Sequence, residues 1–249
     1  MTRPAKVFLQ ASLNGARAPG EHERLPLTPA ELARDAREVA EAGAVAVHVH
    51  PRDRDGRESL EPAACDAAVA ALREAAPGLE ISVSTGLWIT EGDVERRLAC
   101  VRGWTELPDC ASLNVAEEGW EELGALLAER GVWIEIGLWH ADHPARLAGA
   151  GLARRCRRAL VEPQETAPAI AVATAGAIDG GLERERIELP QLHHGTDFTT
   201  WAVLDAAVRR AREARVGLED TLSLPDARRA ASNAELVAAA AARYLTPSG

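Results

Sequence analysis

The sequence predicts a (β/α)8 barrel, and the order and number of its elements support this fold class. Short apolar runs alternate with amphipathic helical patterns along the whole chain of 249 residues. Eight such strand–helix units in about 250 residues match the stoichiometry and size of a (β/α)8 barrel. A doubly wound open sheet is the alternative, because alternation alone does not distinguish a closed sheet from an open one. No Gly-x-Gly-x-x-Gly motif follows the first strand, and this disfavours a dinucleotide-binding fold.

The predicted strands are short runs of small and β-branched residues bounded by turn or cap residues. They are Val7–Leu13, Ala44–His50, Glu80–Ser84, Cys110–Val115, Val132–Leu138, Arg158–Glu162, Gln191–His194 and Arg215–Glu219. The helical patterns are Thr28–Glu41, Pro62–Ala75, Glu91–Arg102, Glu117–Glu129, Asp142–Ala150, Glu165–Asp179, Phe198–Arg212 and Ser232–Tyr244. Thr28, Pro29 and Glu31 give the first helix an N-cap, a proline at N1 and a capping box. Since no linker or internal repeat interrupts this order, we expect one catalytic domain over residues 1–249.

Composition and charge narrow the class of protein. Apolar residues make up 47% of the chain, which supplies a sizeable core, and the formal net charge is −10. This negative balance disfavours binding to nucleic acid or to an anionic membrane surface. No apolar run reaches the ~20 residues of a membrane span, and the N-terminus lacks a signal-peptide core. The four cysteines show no Cys-x-x-Cys spacing, so a reducing, cytoplasmic location is expected.

The most informative motif lies at the end of the second predicted strand, where His48 and His50 are separated by one valine. Alternate side chains of a strand share a face, so both imidazoles point the same way. Two imidazoles on an apolar strand are costly to bury unless their lone pairs are used, and a divalent metal uses them well. A pair of hydrogen-bonded core histidines is the other interpretation, and the rest of the chain decides between the two.

Polar residues recur where the predicted strands end, which is the edge of a barrel that carries the active site. They are Ser12, Asn14, His48, His50, Arg52, Ser82, Ser84, Thr85, Ser112, Asn114, Glu135, Glu162, Gln164, His193, His194, Glu219 and Asp220. One such residue is ordinary at the start of a loop, but solvation does not explain a polar end on every strand. The pattern therefore predicts an active site.

Glu219 is the candidate third ligand, because side chains of one barrel layer come from alternate strands and strands 2 and 8 are both even. Two imidazoles and one carboxylate leave positions open for substrate or water, as in catalytic zinc sites. A helix-capping role is the alternative for Glu219. His193 and His194 form a second pair, but adjacent strand residues face opposite ways, so at most one of them can join the site.

The chain resembles the β-keto acid cleavage enzymes, whose founding member is the 3-keto-5-aminohexanoate cleavage enzyme. The resemblance rests on five segments in the same order: His48–Asp53, Ser84–Gly86, Ala111–Asn114, Arg215–Leu222 and Ser232–Val237. It extends from the first strand to the last helix. The motifs are specific for the family and say little about the particular substrate.

The resemblance implies an oligomeric (β/α)8 barrel enzyme, a dimer or tetramer, that binds Zn²⁺ or another divalent ion. Its substrates would be a β-keto acid and acetyl-CoA, and its products acetoacetate and a new acyl-CoA. By this resemblance His48, His50 and Glu219 hold the metal. Arg215 and Asp220 form the catalytic pair, in which the guanidinium stabilises an oxyanion and the carboxylate carries a proton.

The resemblance also assigns the substrate contacts. Ser84 matches the catalytic serine that holds the keto acid, and Asn114 matches a polar residue of strand 4. The other residues expected to bind substrate lie in the same strand-end positions: Asn14, Arg17, Thr85, Gly86 and His193. Where the founding members carry an acid that contacts the substrate amine, this chain offers Arg17. We therefore expect a neutral or anionic keto acid. The chain is also shorter than typical members of the family, and the shortening is expected in the loops between strands 5 and 7. In the family these loops help to form the CoA path.

Two other functions compete with acyl transfer. A zinc-dependent hydrolase on the same barrel would cleave an ester, lactone or amide with a metal-bound water and would need no thioester. A non-catalytic metal-binding or ligand-binding protein is disfavoured by the many polar strand ends. Products formed with and without acetyl-CoA would discriminate between the two enzymes.

Overall fold

The computed structural model describes residues 8–245, and its eight parallel strands form one closed barrel in sequential order. The strands are β1 (Leu9–Ser12), β2 (Ala46–Val49), β3 (Glu80–Ser84), β4 (Cys110–Asn114), β5 (Trp133–Leu138), β6 (Cys156–Val161), β7 (Gln191–His193) and β8 (Glu213–Val216). Pairing of β1 with β8 closes the sheet, as Gln10 lies opposite Arg215. The predicted (β/α)8 barrel is therefore confirmed and the open sheet excluded. Val7, the first residue of the predicted first strand, lies outside the described residues.

One helix follows each strand and covers the outside of the barrel. The helices are α1 (Pro29–Glu41), α2 (Pro62–Ala75), α3 (Val94–Gly103), α4 (Trp120–Glu129), α5 (His143–Ala150), α6 (Pro168–Arg184), α7 (Thr200–Arg209) and α8 (Asn233–Leu245). Alternate strand residues such as Val47, Ile81 and Ile136 pack outward against these helices in a buried apolar core. The predicted capping box of α1 is present, with Thr28 and Glu31 in the expected roles.

Helix α6 is longer than the sequence pattern indicates. The prediction ended it at Asp179, before the two glycines, whereas the helix continues through Gly180 and Gly181. A Cβ added at Gly181 would lie only 2.8 Å from the Cγ atom of Pro144 in α5. The glycine therefore serves the close packing of two helices and does not end one. Strand β6 also begins two residues before its predicted start at Arg158, with Cys156 as its first residue.

The eighth predicted strand, Arg215–Glu219, is wrong at its C-terminal end, because β8 stops at Val216. The chain then turns tightly against β1, and a Cβ on Gly217 would lie 1.9 Å from the carbonyl oxygen of Ser12. The backbone N–H of Glu219 donates to the same carbonyl at 3.3 Å. Glu219 thus lies in a turn beyond the strand. The argument from alternating strand layers does not describe how this side chain reaches the histidines.

The N-terminal half of the barrel interior is polar. Glu135 of β5 is fully buried and accepts hydrogen bonds from Gln10 of β1, at 2.9 Å, and from Arg158 of β6. Arg158 also pairs with Glu80 at 2.6 Å. A buried carboxylate requires such a cation and such donors to offset its desolvation. Glu135, which the sequence analysis counted among the polar strand ends, is thus committed to this network below the barrel mouth.

Asn233, the first residue of α8, ties the last helix to both ends of the closed sheet. Its Oδ1 atom accepts from the N–H of Leu218 at 2.7 Å, and its Nδ2 atom donates to the carbonyl of Leu13 and to Asp35. We expect Asn233→Ala to lower the free energy of unfolding by about 2–4 kcal/mol, because it leaves buried polar groups without partners. Urea unfolding measures the change. Exposed Glu183→Ala is the control, and an equally small effect of both substitutions would contradict this role.

Two further findings concern composition. All four cysteines are free and buried, as their scattered spacing predicted. Over residues 8–245, we find no helix with both the length and the apolar character needed to cross a bilayer.

Candidate active site and metal centre

A cavity of about 210 Å³ opens at the C-terminal end of the barrel, where the strand ends converge. Its wall is formed by Ala16, His48, His50, Ser84, Trp88, Ser112, Asn114, Trp139, Leu160, Glu162, Thr196, Arg215, Glu219 and Asp220. A larger groove of about 840 Å³ lies outside the barrel, lined by the starts of α1 and α2 and the loop after β2. Ionisable groups converge in the smaller cavity, and we assign the candidate site there.

The three predicted metal ligands meet at one point of this cavity. The Nε2 atoms of His48 and His50 lie 3.2 Å apart, and an oxygen of Glu219 lies 3.4 Å from Nε2 of His50. One ligand atom from each residue falls within 4.8 Å of the others. The group therefore has the size of a first coordination shell, with one side open to the cavity.

The hydrogen bonds of the two imidazoles show what this group requires. Nδ1 of His50 lies 2.5 Å from the Glu58 carboxylate, so this nitrogen carries a proton. Nδ1 of His48 lies 3.1 Å from the hydroxyl of Ser82, and that hydroxyl donates its only proton to Glu135. Nδ1 of His48 must then also be the donor. In neutral rings both Nε2 lone pairs face one another and Glu219, an arrangement that only a proton or a cation can satisfy.

The pKa values agree with a demand for positive charge at this point. Burial lowers the pKa of His50, but the carboxylates of Glu219 and Glu58 outweigh burial and raise it to about 9. For His48 burial dominates, and its pKa lies well below the ordinary value, so the ring is neutral. Burial raises the pKa of Glu219, yet Arg215 and the two histidines outweigh it and hold the carboxyl ionised. Neutral imidazole and ionised carboxylate are the forms that bind a metal.

Arg215 and Asp220 form a buried ion pair beside the three ligands. One terminal nitrogen of Arg215 contacts both Asp220 and Glu219 at 2.8 Å. The other Asp220 oxygen accepts a hydrogen bond from the hydroxyl of Ser12. Burial raises the pKa of Asp220, but the Arg215 guanidinium outweighs it and lowers the pKa below the ordinary value. The carboxylate is therefore an ionised acceptor held in the cavity wall.

Four of the residues predicted to contact substrate build one side of the site. Ser84 and Asn114 line the cavity, and the amide nitrogen of Asn114 donates to Glu117 at 2.8 Å. Thr85 turns away and donates to the carbonyl of Ser112, so it supports the wall. Gly86 lies beneath the indole of Trp88, which a Cβ at that position would meet at 2.2 Å.

The structure directs Asn14 and Arg17 away from the cavity. Both polar atoms of the Asn14 side-chain amide bind the backbone of His50. Oδ1 accepts from its N–H and Nδ2 donates to its carbonyl, each at 2.9 Å. Arg17 donates to the carbonyl of Leu218 at 3.1 Å and to the Asp197 carboxylate. Asn14 therefore holds the metal-site strand in place, and Arg17 joins two rim loops. Partners within the protein thus satisfy both side chains, and a contact of either one with substrate stays a prediction.

The two histidines at the end of β7 point to opposite sides of the sheet, and His193, the one predicted to bind substrate, points away from the barrel interior. Nε2 of His193 lies 3.1 Å from Asp179 of α6, so His193 faces the helices. His194 points to the barrel interior instead, where it lies buried behind the cavity wall, 3.5 Å from Asp220 and 3.7 Å from Glu162. The sequence showed that only one member of the pair could join the site, but it did not give the phase of a three-residue strand.

Three residues of the site were not predicted from the sequence, because Glu58 and Trp139 lie in loops and Trp88 lies in a short 3-10 helix, Leu87–Thr90. Glu58 contacts His50, and its carboxylate also accepts from the indole nitrogen of Trp88 at 3.2 Å. The Trp88 ring is stacked near His50, with the ring centroids 6.2 Å apart. Trp139 donates to Glu162 at 3.1 Å across the cavity wall. For Trp88 and Trp139, the sequence signal that could have indicated the site was an aromatic residue shortly after the end of a strand.

The fold and the site together define a class of proteins, the (β/α)8 barrels with a His-x-His and carboxylate cluster at the mouth. Within this class the chain belongs to the β-keto acid cleavage enzyme family, which it matches over residues 6–246. The resemblance inferred from the motifs is thereby confirmed.

Two curated relatives are both named 3-keto-5-aminohexanoate cleavage enzyme. The protein of Fusobacterium nucleatum subsp. nucleatum is 32% identical over 142 residues, which cover 53% of this chain and 52% of the relative. The protein of Acetoanaerobium sticklandii is 34% identical over 92 residues, covering 36% of this chain and 34% of the relative. The chain thus spans about half the length of the first relative and about a third of the second.

Solved structures of ObcA share the fold. Its ternary complex with a C4-CoA adduct and oxalate superposes with a TM-score of 0.74 at 17% identity, covering 89% of this chain and 64% of that one. Its binary complex with oxaloacetate gives a TM-score of 0.71 at 18% identity, covering 89% of this chain and 64% of that one. At this identity the similarity shows the barrel fold alone.

Proposed function

We propose that this protein is a metal-dependent β-keto acid cleavage enzyme. It would take a β-keto acid and acetyl-CoA and give acetoacetate and a new acyl-CoA. The observation that carries the proposal is the convergence of three metal-binding atoms beside the Arg215–Asp220 pair in one cavity. Membership of the family supports the reaction. The CoA adduct in the ObcA complex supports a thioester co-substrate for the shared fold.

The residues present fit a divalent ion, and His48, His50 and Glu219 would hold it. When bound, the ion would supply Lewis acidity to the keto carbonyl and orient the adjoining carboxylate. Arg215 would place fixed positive charge beside the oxyanion that develops before the carbon–carbon bond breaks. Asp220, held ionised by Arg215, would accept and return the proton of the adduct. Ser84 and Asn114 would orient the keto acid from the part of the cavity wall formed by β3 and β4.

Four finer assignments belong to the same proposal. We assign Zn²⁺ as the ion because two imidazoles and a carboxylate with an open position form a catalytic zinc donor set. We propose a homo-oligomer, a dimer or tetramer, a cytoplasmic location and a single domain over residues 1–249. Sedimentation velocity measures the oligomeric state, and limited proteolysis examines the domain organisation.

Acetyl-CoA dependence is the first prediction. The purified, zinc-loaded protein should convert a β-keto acid only when acetyl-CoA is present, because the acyl group needs a thiol acceptor. Acetyl-CoA with a ¹³C-labelled acetyl group should place the label in acetoacetate, while the unlabelled acyl group appears on CoA. Mass spectrometry of both products checks this outcome. Release of a free acid from an ester, lactone or amide without any thioester would support the zinc-dependent hydrolase instead.

The substrate side chain is the second prediction. With Arg17 bound at the rim, the ionisable group on the cavity wall opposite the metal centre is Glu162, which receives the indole N–H of Trp139. In place of the neutral or anionic keto acid expected from Arg17, we propose that Glu162 favours keto acids whose far end donates hydrogen bonds or is cationic. A charge contact at ~4 Å is worth about 4 kcal/mol at an effective dielectric of ~20, and only part of this is realised at an open mouth.

We therefore expect Glu162→Gln to reduce the kcat/KM ratio between an amino-substituted keto acid and its uncharged analogue by about tenfold. Arg17→Glu is the control, and it should leave this ratio unchanged. The reverse result, a shift with Arg17→Glu alone, would restore the substrate contact that the sequence suggested for Arg17.

A further inference from the structure

A buried chain of hydrogen bonds connects the metal site with the polar interior of the barrel. It begins at Nδ1 of His48 on β2, passes through the hydroxyl of Ser82 on β3, and ends at the carboxylate of Glu135 on β5. All three side chains are buried, at 2%, 0% and 0% exposure. Water therefore does not compete for these bonds, and each group depends on the next one.

We propose that Ser82 and Glu135 act as a positioning relay that sets the tautomer and orientation of the metal ligand His48. The inference deepens the proposed metal centre and rests on it. Neither residue lines the cavity, so each would act on the ion only through His48. Their role is to keep the Nε2 lone pair of this ring directed at the cavity.

The direction of the relay follows from the proton inventory of its members. A carboxylate carries no proton, so the Ser82 hydroxyl must donate to Glu135. The hydroxyl has only one proton, and its lone pair is then available to His48. His48 must therefore be protonated at Nδ1 and bare at Nε2. Hydrogen bonds of this kind from a ligating histidine to an outer carboxylate fix the ring and raise its basicity.

The charge at the far end of the relay is fixed by its surroundings. Arg158 binds both Glu135 and Glu80, and Gln10 donates to the same Glu135 oxygen as Arg158. This arrangement also explains a second group of potential metal ligands at Glu80, Cys110 and Glu135. The guanidinium of Arg158 supplies the cation there, and burial keeps the Cys110 thiol protonated by raising its pKa. We therefore assign the group to an ion-pair network around Arg158 and not to a metal, and Glu135 is its only member that belongs to the relay.

The two metal-binding histidines are held in different ways. His50 is bound directly by Glu58, which is partly exposed, and this contact adjoins the indole of Trp88 at the cavity mouth. His48 is bound through a hydroxyl by a fully buried carboxylate. The relay is thus the interior support of the site.

The test measures metal binding without substrate. We expect Ser82→Ala to raise the Kd for Zn²⁺ and Co²⁺ by about 10–100-fold, as for other outer-shell partners of ligating histidines. In the metal-free protein, ¹⁵N NMR of the imidazoles should show His48 leaving the single Nδ1–H tautomer. Ser82→Thr restores a hydroxyl and should recover both properties. Glu135→Gln keeps an acceptor but loses the charge, and it should give an intermediate loss of affinity.

Two matched variants separate the relay from a general effect on the barrel. Ser84→Ala makes the same change one pleat further along β3, where no hydrogen bond to His48 exists, and should leave the Kd for metal unchanged. Glu80→Gln disturbs Arg158 without touching the relay and should also leave it unchanged. Thermal unfolding of each variant confirms that the barrel remains folded.

The outcomes are distinct. A wild-type Kd and an unchanged His48 tautomer in Ser82→Ala would overturn the relay, as would an equal loss of affinity in Ser84→Ala or Glu80→Gln. A wild-type protein that binds no divalent ion would refute the proposed metal centre, and the relay with it. If the protein binds metal and Ser82→Ala weakens that binding, but no acyl transfer occurs, only the proposed reaction is refuted.

Discussion

His48→Ala and His50→Ala should each abolish stoichiometric binding of a divalent ion. Each removes one of three ligand atoms that lie within 4.8 Å of one another, and water cannot replace a neutral imidazole of matched position. The loss in affinity should exceed the about 10–100-fold caused by removing an outer partner of a ligand. Elemental analysis after dialysis, together with calorimetric titration of Zn²⁺, measures the result.

A buried histidine on the outer face of the barrel sheet offers a control for these two substitutions. His193 is also a buried strand histidine, but it faces Asp179 on α6. His193→Ala should therefore bind metal like the wild type, whatever its effect on stability. Full retention of metal in both His48→Ala and His50→Ala would exclude the site.

Asp220→Asn should lower kcat by about 10²–10⁴-fold while the metal content stays close to that of the wild type. The amide has nearly the same shape, and it can still accept from Arg215 and bind the hydroxyl of Ser12. Only the capacity to take up a proton is lost. Single-turnover kinetics with a verified keto acid, alongside metal analysis, separate loss of chemistry from loss of the ion.

Arg215→Met should also abolish turnover, for a different reason. It removes the positive charge that holds the Asp220 carboxylate ionised and that contacts Glu219. Because it leaves two buried carboxylates without the guanidinium that they share, we expect it also to destabilise the fold by about 3–5 kcal/mol. Arg215→Lys keeps the charge but not the two contacts of one guanidinium, and it distinguishes charge from geometry. Wild-type turnover in either Asp220→Asn or Arg215→Met would refute the role given to that residue.

The order of elements could be predicted because it depends on local properties. Apolar periodicity and caps such as Thr28 and Glu31 are encoded within a few residues, and each of the eight strands and eight helices was found near its predicted range. Errors occurred where packing overrides local preference. Gly180 and Gly181 read as a helix end, yet α6 continues through them because α5 packs there.

The part of the candidate site that could be predicted is the part that depends on the geometry of a single strand. His48 and His50 share a face because they are two residues apart on one strand, and the structure brings them together. Asn14 and Arg17 were also close to strand ends, but the partners that occupy them come from distant parts of the chain. Sequence position places a residue at the barrel mouth, whereas its hydrogen bonds decide whether it faces the cavity.

By itself the sequence determined the barrel, the family and the three candidate metal ligands, since all of these depend on periodicity and on motifs read along one strand or turn. Only the tertiary structure decided that His194 lies beside Asp220, that Glu219 arrives from a turn, and that hydrogen bonds through Ser82 connect His48 with Glu135. The reason is physical. Closing the sheet brings together side chains that are far apart in the chain, and hydrogen-bond partners are chosen by proximity in space.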